Sequence, residues 1–241
     1  MNNEFGIRDQ IIITDDCPKI ILLEYSDIEL AAIYSKNKNN LIIFKNLLLK
    51  INNQTVNKLL ISIIKKETSS IDAIKLLIAH EKINVNYKDS YGWTPLIFSC
   101  IHLHNIKIIE LLIESGANIN IKSHGKTLIM FAIRNSSTYR HLEIIKLLIK
   151  KDSKINYQDH HGITPLMSCF VMHFNALIRY DIIKLLLDNK VDIYIKDNKG
   201  NDIFKYMKKT SNQYLECRSL IFNYKNLVND HFCKYDIDFI Y

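Results

Sequence analysis

Glycine and proline are scarce, at six and three in 241 residues. That scarcity argues against a long flexible linker. No apolar run reaches the ~18 residues that would suggest a membrane-crossing helix. The opening stretch MNNEFGIRDQIIITDDCPK has acidic residues and lacks the basic-then-apolar order of a secretory signal. Five cysteines (Cys17, Cys100, Cys169, Cys217 and Cys233) are odd in number, widely spaced and without a C-x-x-C pair. Disulfides and zinc are both poorly supported, and a reducing, intracellular compartment is expected. The chain has no phosphate-loop motif, no H-E-x-x-H and no Gly-x-Ser-x-Gly. With no grouped acid, base or nucleophile, neither an enzyme nor a cofactor is expected. His102 and His104 in IHLH have no Cys or carboxylate at ligand spacing, so no metal site is expected either.

What is present is an apolar fraction of 48%, enough for a sizeable core. The apolar bursts are rich in Ile, and Asn and Lys fill the polar positions, a composition that reflects an AT-rich genome. The net charge is +7, which makes charge-driven nucleic-acid binding one alternative. The lysines are interleaved with carboxylates, however, as in IKIIELLIESG and LEIIKLLIKKD. That alternation marks a solvated helix face.

Three markers recur in fixed order. YGWTPLIFSC (91–100) returns as HGKTLIMFAI (124–133) and HGITPLMSCF (161–170), with glycines at Gly92, Gly125, Gly162 and Gly200 spaced by 33, 37 and 38 residues. IKIIELLI (106–113) returns as LEIIKLLI (142–149) and YDIIKLLL (180–187). An earlier version, IDAIKLLI (71–78), has no Gly-Thr-Pro partner upstream. KINVNYKD (82–89), ANINIKS (117–123), KINYQD (154–159) and VDIYIKD (191–197) make the third marker.

Each part has a physical job. Gly92 supplies positive φ in a tight turn. Thr94 caps a helix by accepting from a free backbone N–H. Pro95 occupies the first helical position, where its missing N–H costs nothing. Ile108, Ile109, Leu111 and Leu112 make one broad apolar face, and Gly116 closes that helix with a left-handed cap. The alternation in NINIK predicts a short extended segment. Cys100 and Cys169 fall at equivalent places and read as small buried hydrophobes. A unit of turn, helix, loop, helix and finger cannot bury its apolar face alone, so stacked copies are expected.

DSYGWTPL, DHHGITPL, HLEIIKLLI and ESGANIN make the chain resemble the ankyrin-repeat family, specifically over about 54–208. The resemblance implies an all-α repeat solenoid of helix–loop–helix units with short β-like finger hairpins. Residues 1–26 are expected to form an N-terminal leader or cap, and 27–208 a solenoid of about five repeats, the first and last divergent. Residues 209–241 are expected to form a helical C-terminal cap and tail. The family's usual His three residues after the Thr is replaced by Ile97, Met130, Met167 and Lys205, and its Pro by Leu128 in one copy. A stack looser than consensus is therefore expected. The extra residues behind the longer spacings are expected in loops at 134–141 and 171–180.

The resemblance also implies where recognition occurs: the turn residues flanking each glycine and the exposed end of each first helix, on a concave surface. Carried onto this chain, the turn positions are Ser90, Tyr91 and Trp93; Ser123, His124 and Lys126; His160, His161 and Ile163; and Asn198, Lys199 and Asn201. The helix-end positions are Ile101 and His102, Arg134 and Asn135, and Val171 and Met172. Trp93, the only Trp, sits at a position usually exposed and is the expected anchor. Asn120 and Asn156 occupy the finger position that host asparaginyl hydroxylases modify in some members. The residues two positions earlier are Asn118 and Lys154 rather than the preferred acid.

The degenerate repeats resemble those of giant DNA viruses, which implies a non-enzymatic module engaging a host protein in the host cytoplasm. DCPKIILLEYSDIEL (16–30) resembles the start of an F-box. That raises a second reading, a ubiquitin-ligase substrate adaptor docking through a terminal segment.

Overall fold

The computed structural model describes residues 38–49, 51–65, 70–102, 105–136, 139–171, 176–208 and 214–235. The leader at 1–26, the F-box-like stretch at 16–30 and Met172 lie outside these residues. Eleven helices are described: α1 (Lys38–Leu48), α2 (Asn53–Lys65), α3 (Ile71–Ile78), α4 (Pro95–Ile101), α5 (Ile106–Glu114), α6 (Leu128–Arg134), α7 (Tyr139–Lys150), α8 (Pro165–Val171), α9 (Ala176–Asp188), α10 (Ile203–Lys208) and α11 (Leu215–Tyr235). One strand pair, β1 (Lys122–Ser123) and β2 (Lys126–Thr127), precedes α6.

The helices pack in two rows. The inner row runs α2, α4, α6, α8, α10, each against the next. Outer-row neighbours include α1 with α3, α3 with α5, α7 with α9 and α9 with α11, and paired helices such as α4 and α5 bind the rows together. The sequence explains the division. PLIFSC, LIMFAI and PLMSCF are buried all round, as a helix with neighbours on every side must be. The outer helices bury only a stripe, in α5 Ile108, Ile109 and Leu112. Buried hydroxyls on the inner helices donate to carbonyls of their own turn, Ser99 to Pro95 at 2.9 Å and Ser168 to Pro165 at 2.7 Å. Cys100 and Cys169 are buried as expected, and burial pushes both thiols up, so they stay protonated and inert at neutral pH.

Helix ends follow the predicted chemistry. The Thr94 and Thr164 hydroxyls accept from Ile97 N and Met167 N. Asp202 fills the equivalent place before α10, accepting from Lys205 N at 3.1 Å. After α5, Ala117 N donates to Leu112 O and Gly116 N to Ile113 O, the paired bonds of a left-handed cap. After α7 and α9 the same bonds form around Asp152 (φ 65) and Lys190 (φ 60).

The copy lacking Pro behaves differently. Thr127 makes no capping bond, and its buried Oγ1 finds no hydrogen-bond partner. Thr127→Val is therefore expected to be neutral or to stabilise by up to about 1 kcal/mol, whereas Thr94→Val should cost about 1 kcal/mol. Paired thermal melts of the two variants check this; equal losses would contradict it.

Two expectations change. First, all but one of the extra residues in each longer repeat lie in the outer helix rather than in a loop. Four positions separate the paired helices in all three complete copies, while the outer helix grows from 9 residues in α5 to 12 in α7 and 13 in α9. The additions YRH and ALIR continue the helix, burying His141 in the first and Ile178 with Arg179 in the second. Second, NINIK and its equivalents are not extended. Tyr87 N donates to Asn84 O and Ile121 N to Asn118 O, and the Asn84 and Asn118 side chains accept from the N–H two residues on. The alternation comes from a side-chain-closed turn.

Candidate finger and inner-helix recognition face

Three fingers share one device. Asp89 Oδ1 accepts from Tyr91 N and Trp93 N, both at 2.9 Å. Asp159 does the same for His161 N and Ile163 N, and Asp197 for Lys199 N and Asn201 N. The carboxylate saturates the turn, with glycine three residues later. In the other finger Lys122 replaces the Asp, and backbone pairing closes the loop instead. Lys122 pairs with Thr127 and Ser123 with Lys126, around a two-residue turn in which His124 (φ 48) and Gly125 (φ 72) are both left-handed. Finger hairpins were expected generally; among the described residues strands form only where the carboxylate is missing.

Neighbouring fingers are tied by asparagines. Asn57, Asn86, Asn120 and Asn156 each accept through Oδ1 from a backbone N–H of the next unit, at Asn84, Asn118, Lys154 and Asp192, over 2.7–2.9 Å. This ladder supplies ties between units where the family's His is absent. It also gives Asn120 and Asn156 a structural role; the recurrence of Asn at one finger position, as Asn86, Asn120 and Asn156, was its signal.

The carried-over positions divide into two groups. Ser90, Tyr91, His124, His160, His161, Asn198 and Lys199 are exposed, as are His102, Arg134 and Val171 at the ends of the inner helices; Ile101 and Lys126 are half-buried. The His160 and His161 rings lie tilted at 45° with centroids 3.7 Å apart.

The remaining positions are turned to internal work. Ser123 is buried and donates to Gly92 O at 2.9 Å. The Asn135 side chain caps its own helix on Phe131 O. Ile163 packs on the core, and the Asn201 amide is held by Asp197.

Trp93 requires a correction. It is half-buried, its ring 5.0 Å from Phe98 on α4 and 6.1 Å from Phe131 on α6, with Nε1 donating to His124 Nδ1 at 3.3 Å. It bridges two inner helices, because Phe98 and Phe131 offer the indole aromatic surface on both. The exposed aromatic is its neighbour Tyr91, 73% exposed.

A groove of about 660 Å³ lies between α2 and the first finger, lined by Gln54, Lys58, Lys65, Tyr87, Lys88 and Tyr91 among others. Sequence reasoning passed over α2, because no Gly-Thr-Pro precedes it. The signal was the seven-residue spacing of Lys58 and Lys65, which puts both on one helix face.

The family model for ankyrin repeats matches residues 29–123 and 120–197, more than half of the chain. The chain belongs to the ankyrin repeat family. The viral resemblance holds as well. An ankyrin repeat protein of Acanthamoeba polyphaga mimivirus is 30% identical over 138 residues, covering 51% of this chain and 24% of that protein. A second mimivirus ankyrin repeat protein is 31% identical over 152 residues, covering 61% of this chain and 18% of its own length. An ankyrin repeat protein of variola virus is 26% identical over 170 residues, covering 69% of this chain and 28% of that protein. The chain thus spans less than a third of the length of these relatives. Ankyrin repeats generally mediate protein–protein interaction and are typically non-enzymatic. Among the described residues no helix is long and apolar enough to cross a membrane.

Proposed function

We propose that this ankyrin stack is a recognition module that engages a host protein through its finger tips and inner-helix ends. The observation that carries this reading is the division of labour within each finger. Turn amides are satisfied by Asp89, Asp159 and Asp197, and neighbouring units are tied through Asn86, Asn120 and Asn156. Tyr91, His161, Lys199, Arg134 and Val171 are left exposed on that framework. Side chains displayed on a saturated, internally tied backbone lose little ordering entropy when a partner docks. The viral relatives favour a host protein as that partner. The additional burial of Cys217 and Ile221 on α11 closes the core at one end, leaving the inner face for recognition.

The test is capture from eukaryotic cell extract followed by lysine cross-linking. A partner cross-linked to Lys88, Lys126 or Lys199 and lost in Tyr91→Ala/Arg134→Ala supports the reading. A partner cross-linked only to outer-row Lys75, Lys146 and Lys184 and retained by that variant contradicts it.

A further inference from the structure

We propose that the groove between α2 and the first finger receives an extended acidic segment of the partner, its carboxylates seated on Lys58, Lys65 and Lys88 beside Tyr91. This rests on the recognition reading above and specifies the chemistry at one end of that face.

Charge carries the argument. Lys58, Lys65 and Lys88 are exposed, and among the described residues Asp89 is the only acidic one lining the groove. Asp89 Oδ1 is already committed to the amides of Tyr91 and Trp93. Among the described residues the two ion pairs, Asp72–Lys75 and Glu143–Lys146, both lie on the outer row. Among the described residues these pairs thus neutralise lysines on outer helices, and neither involves Lys58, Lys65 or Lys88.

Spacing adds a second argument. Two helical turns place Lys58 and Lys65 roughly 10 Å apart along α2. Carboxylates three residues apart on an extended chain of polyproline II geometry, which has three residues per turn, lie on one face and about 9 Å apart. Lys88 comes from the opposite wall, and Tyr87 and Tyr91 supply aromatic surface for the intervening side chains. Lys65 Nζ also sits 4.2 Å from the Phe98 ring centroid, which orients it along the wall.

A nucleic acid fits less well. It would need positive charge along the face to track a regular phosphate chain. Beyond the groove, Lys126, Arg134 and Lys199 on the same face are interspersed with Ile101, Val171, Ser90 and Asn198.

The test is fluorescence anisotropy with three probes: a fluorescein-labelled twelve-residue peptide with Glu at every third position, its Gln counterpart, and single-stranded oligo-dT of equal length. The Glu peptide should bind at least about tenfold tighter than the Gln peptide and weaken with salt. Lys58→Glu/Lys88→Glu should lower its affinity about tenfold or more, while the outer-row control Lys75→Glu/Lys146→Glu leaves it unchanged. Lys65 is spared because it also covers Phe98, and circular dichroism checks that both variants are folded.

Equal affinity for the Glu and Gln peptides, an unaffected groove variant, or tighter binding of oligo-dT would each overturn the proposal. If these fail while the cross-linked partner still maps to Lys126 or Lys199, recognition by the face stands and only the acidic occupant falls. If peptide binding holds but the captured partner maps to the outer row, the broader reading falls instead.

Discussion

Gly162→Ala should destabilise the C-terminal units by about 3 kcal/mol, lowering their melting temperature by roughly 6–12 °C. Gly162 has φ +78, which an L side chain adopts only at a cost. A Cβ there would lie 2.5 Å from the backbone N of Asn198 and 2.9 Å from the carbonyl carbon of Asp197. Both belong to the next finger and are main chain, so neither can rotate away. The same approach carries Asn198 N to His161 O at 3.0 Å and Asn198 Nδ2 to His160 O at 2.9 Å, and forcing the fingers apart breaks both bonds. Gly116 is the control: its φ is +88 and a methyl group at that position would meet nothing within 4 Å, so Gly116→Ala should cost only about 1–2 kcal/mol. Hydrogen exchange should place the added opening in the units after Gly162, since stacked units couple mainly to their neighbours. Melts of the two variants within a degree of each other would refute the close-approach argument.

Asp197→Ala should have the second large effect, about 2–4 kcal/mol. The carboxylate is buried at the start of the last finger. Burial pushes its pKa up, but hydrogen bonds from the Asn201 side chain, the Tyr206 hydroxyl and the amides of Asn201 and Lys199 outweigh it and hold it at about 2. Tyr206 Oη donates at 2.7 Å, and burial together with that bond pushes the Tyr206 phenol up. A carboxyl depressed below its unfolded value near 3.8 contributes stability that is fully present above pH 4 or so. That contribution is lost as pH falls from about 4 toward about 2. Wild type and Asp197→Ala should therefore differ in melting temperature at pH 7 and converge as the pH approaches 2. A gap that stays constant across this range would show that the carboxylate charge does not matter.

Much of the architecture was legible in the chain because it depends on local periodicity. The apolar spacing of IKIIELLI and its relatives marks the outer helices, and Gly-x-Thr-Pro marks the inner ones, since capping and turn chemistry act within a few residues. Asp202 shows that the cap can be read even where Thr-Pro is absent, since it stands two residues after Gly200 as Thr94 does after Gly92. The longer repeats suggest longer loops in the sequence because YRH and ALIR lie ahead of the recurring apolar marker; burial of His141 and Ile178 in the stack extends the outer helices over them.

The face itself divides in the same way. The resemblance to the family, carried over position by position, pointed to Tyr91, His160, His161, Asn198 and Lys199, and these residues are exposed. Which of the flanking residues remain at the surface was a tertiary outcome. Trp93 and Ser123 occupy equally plausible positions in the sequence, yet one folds onto Phe98 and Phe131 and the other onto Gly92 O. The asparagine ladder and the lysine groove likewise join residues about thirty positions apart. Such pairs become neighbours only when one unit lies on the next, because periodicity specifies the unit while the stacking distance decides which side chains meet between units.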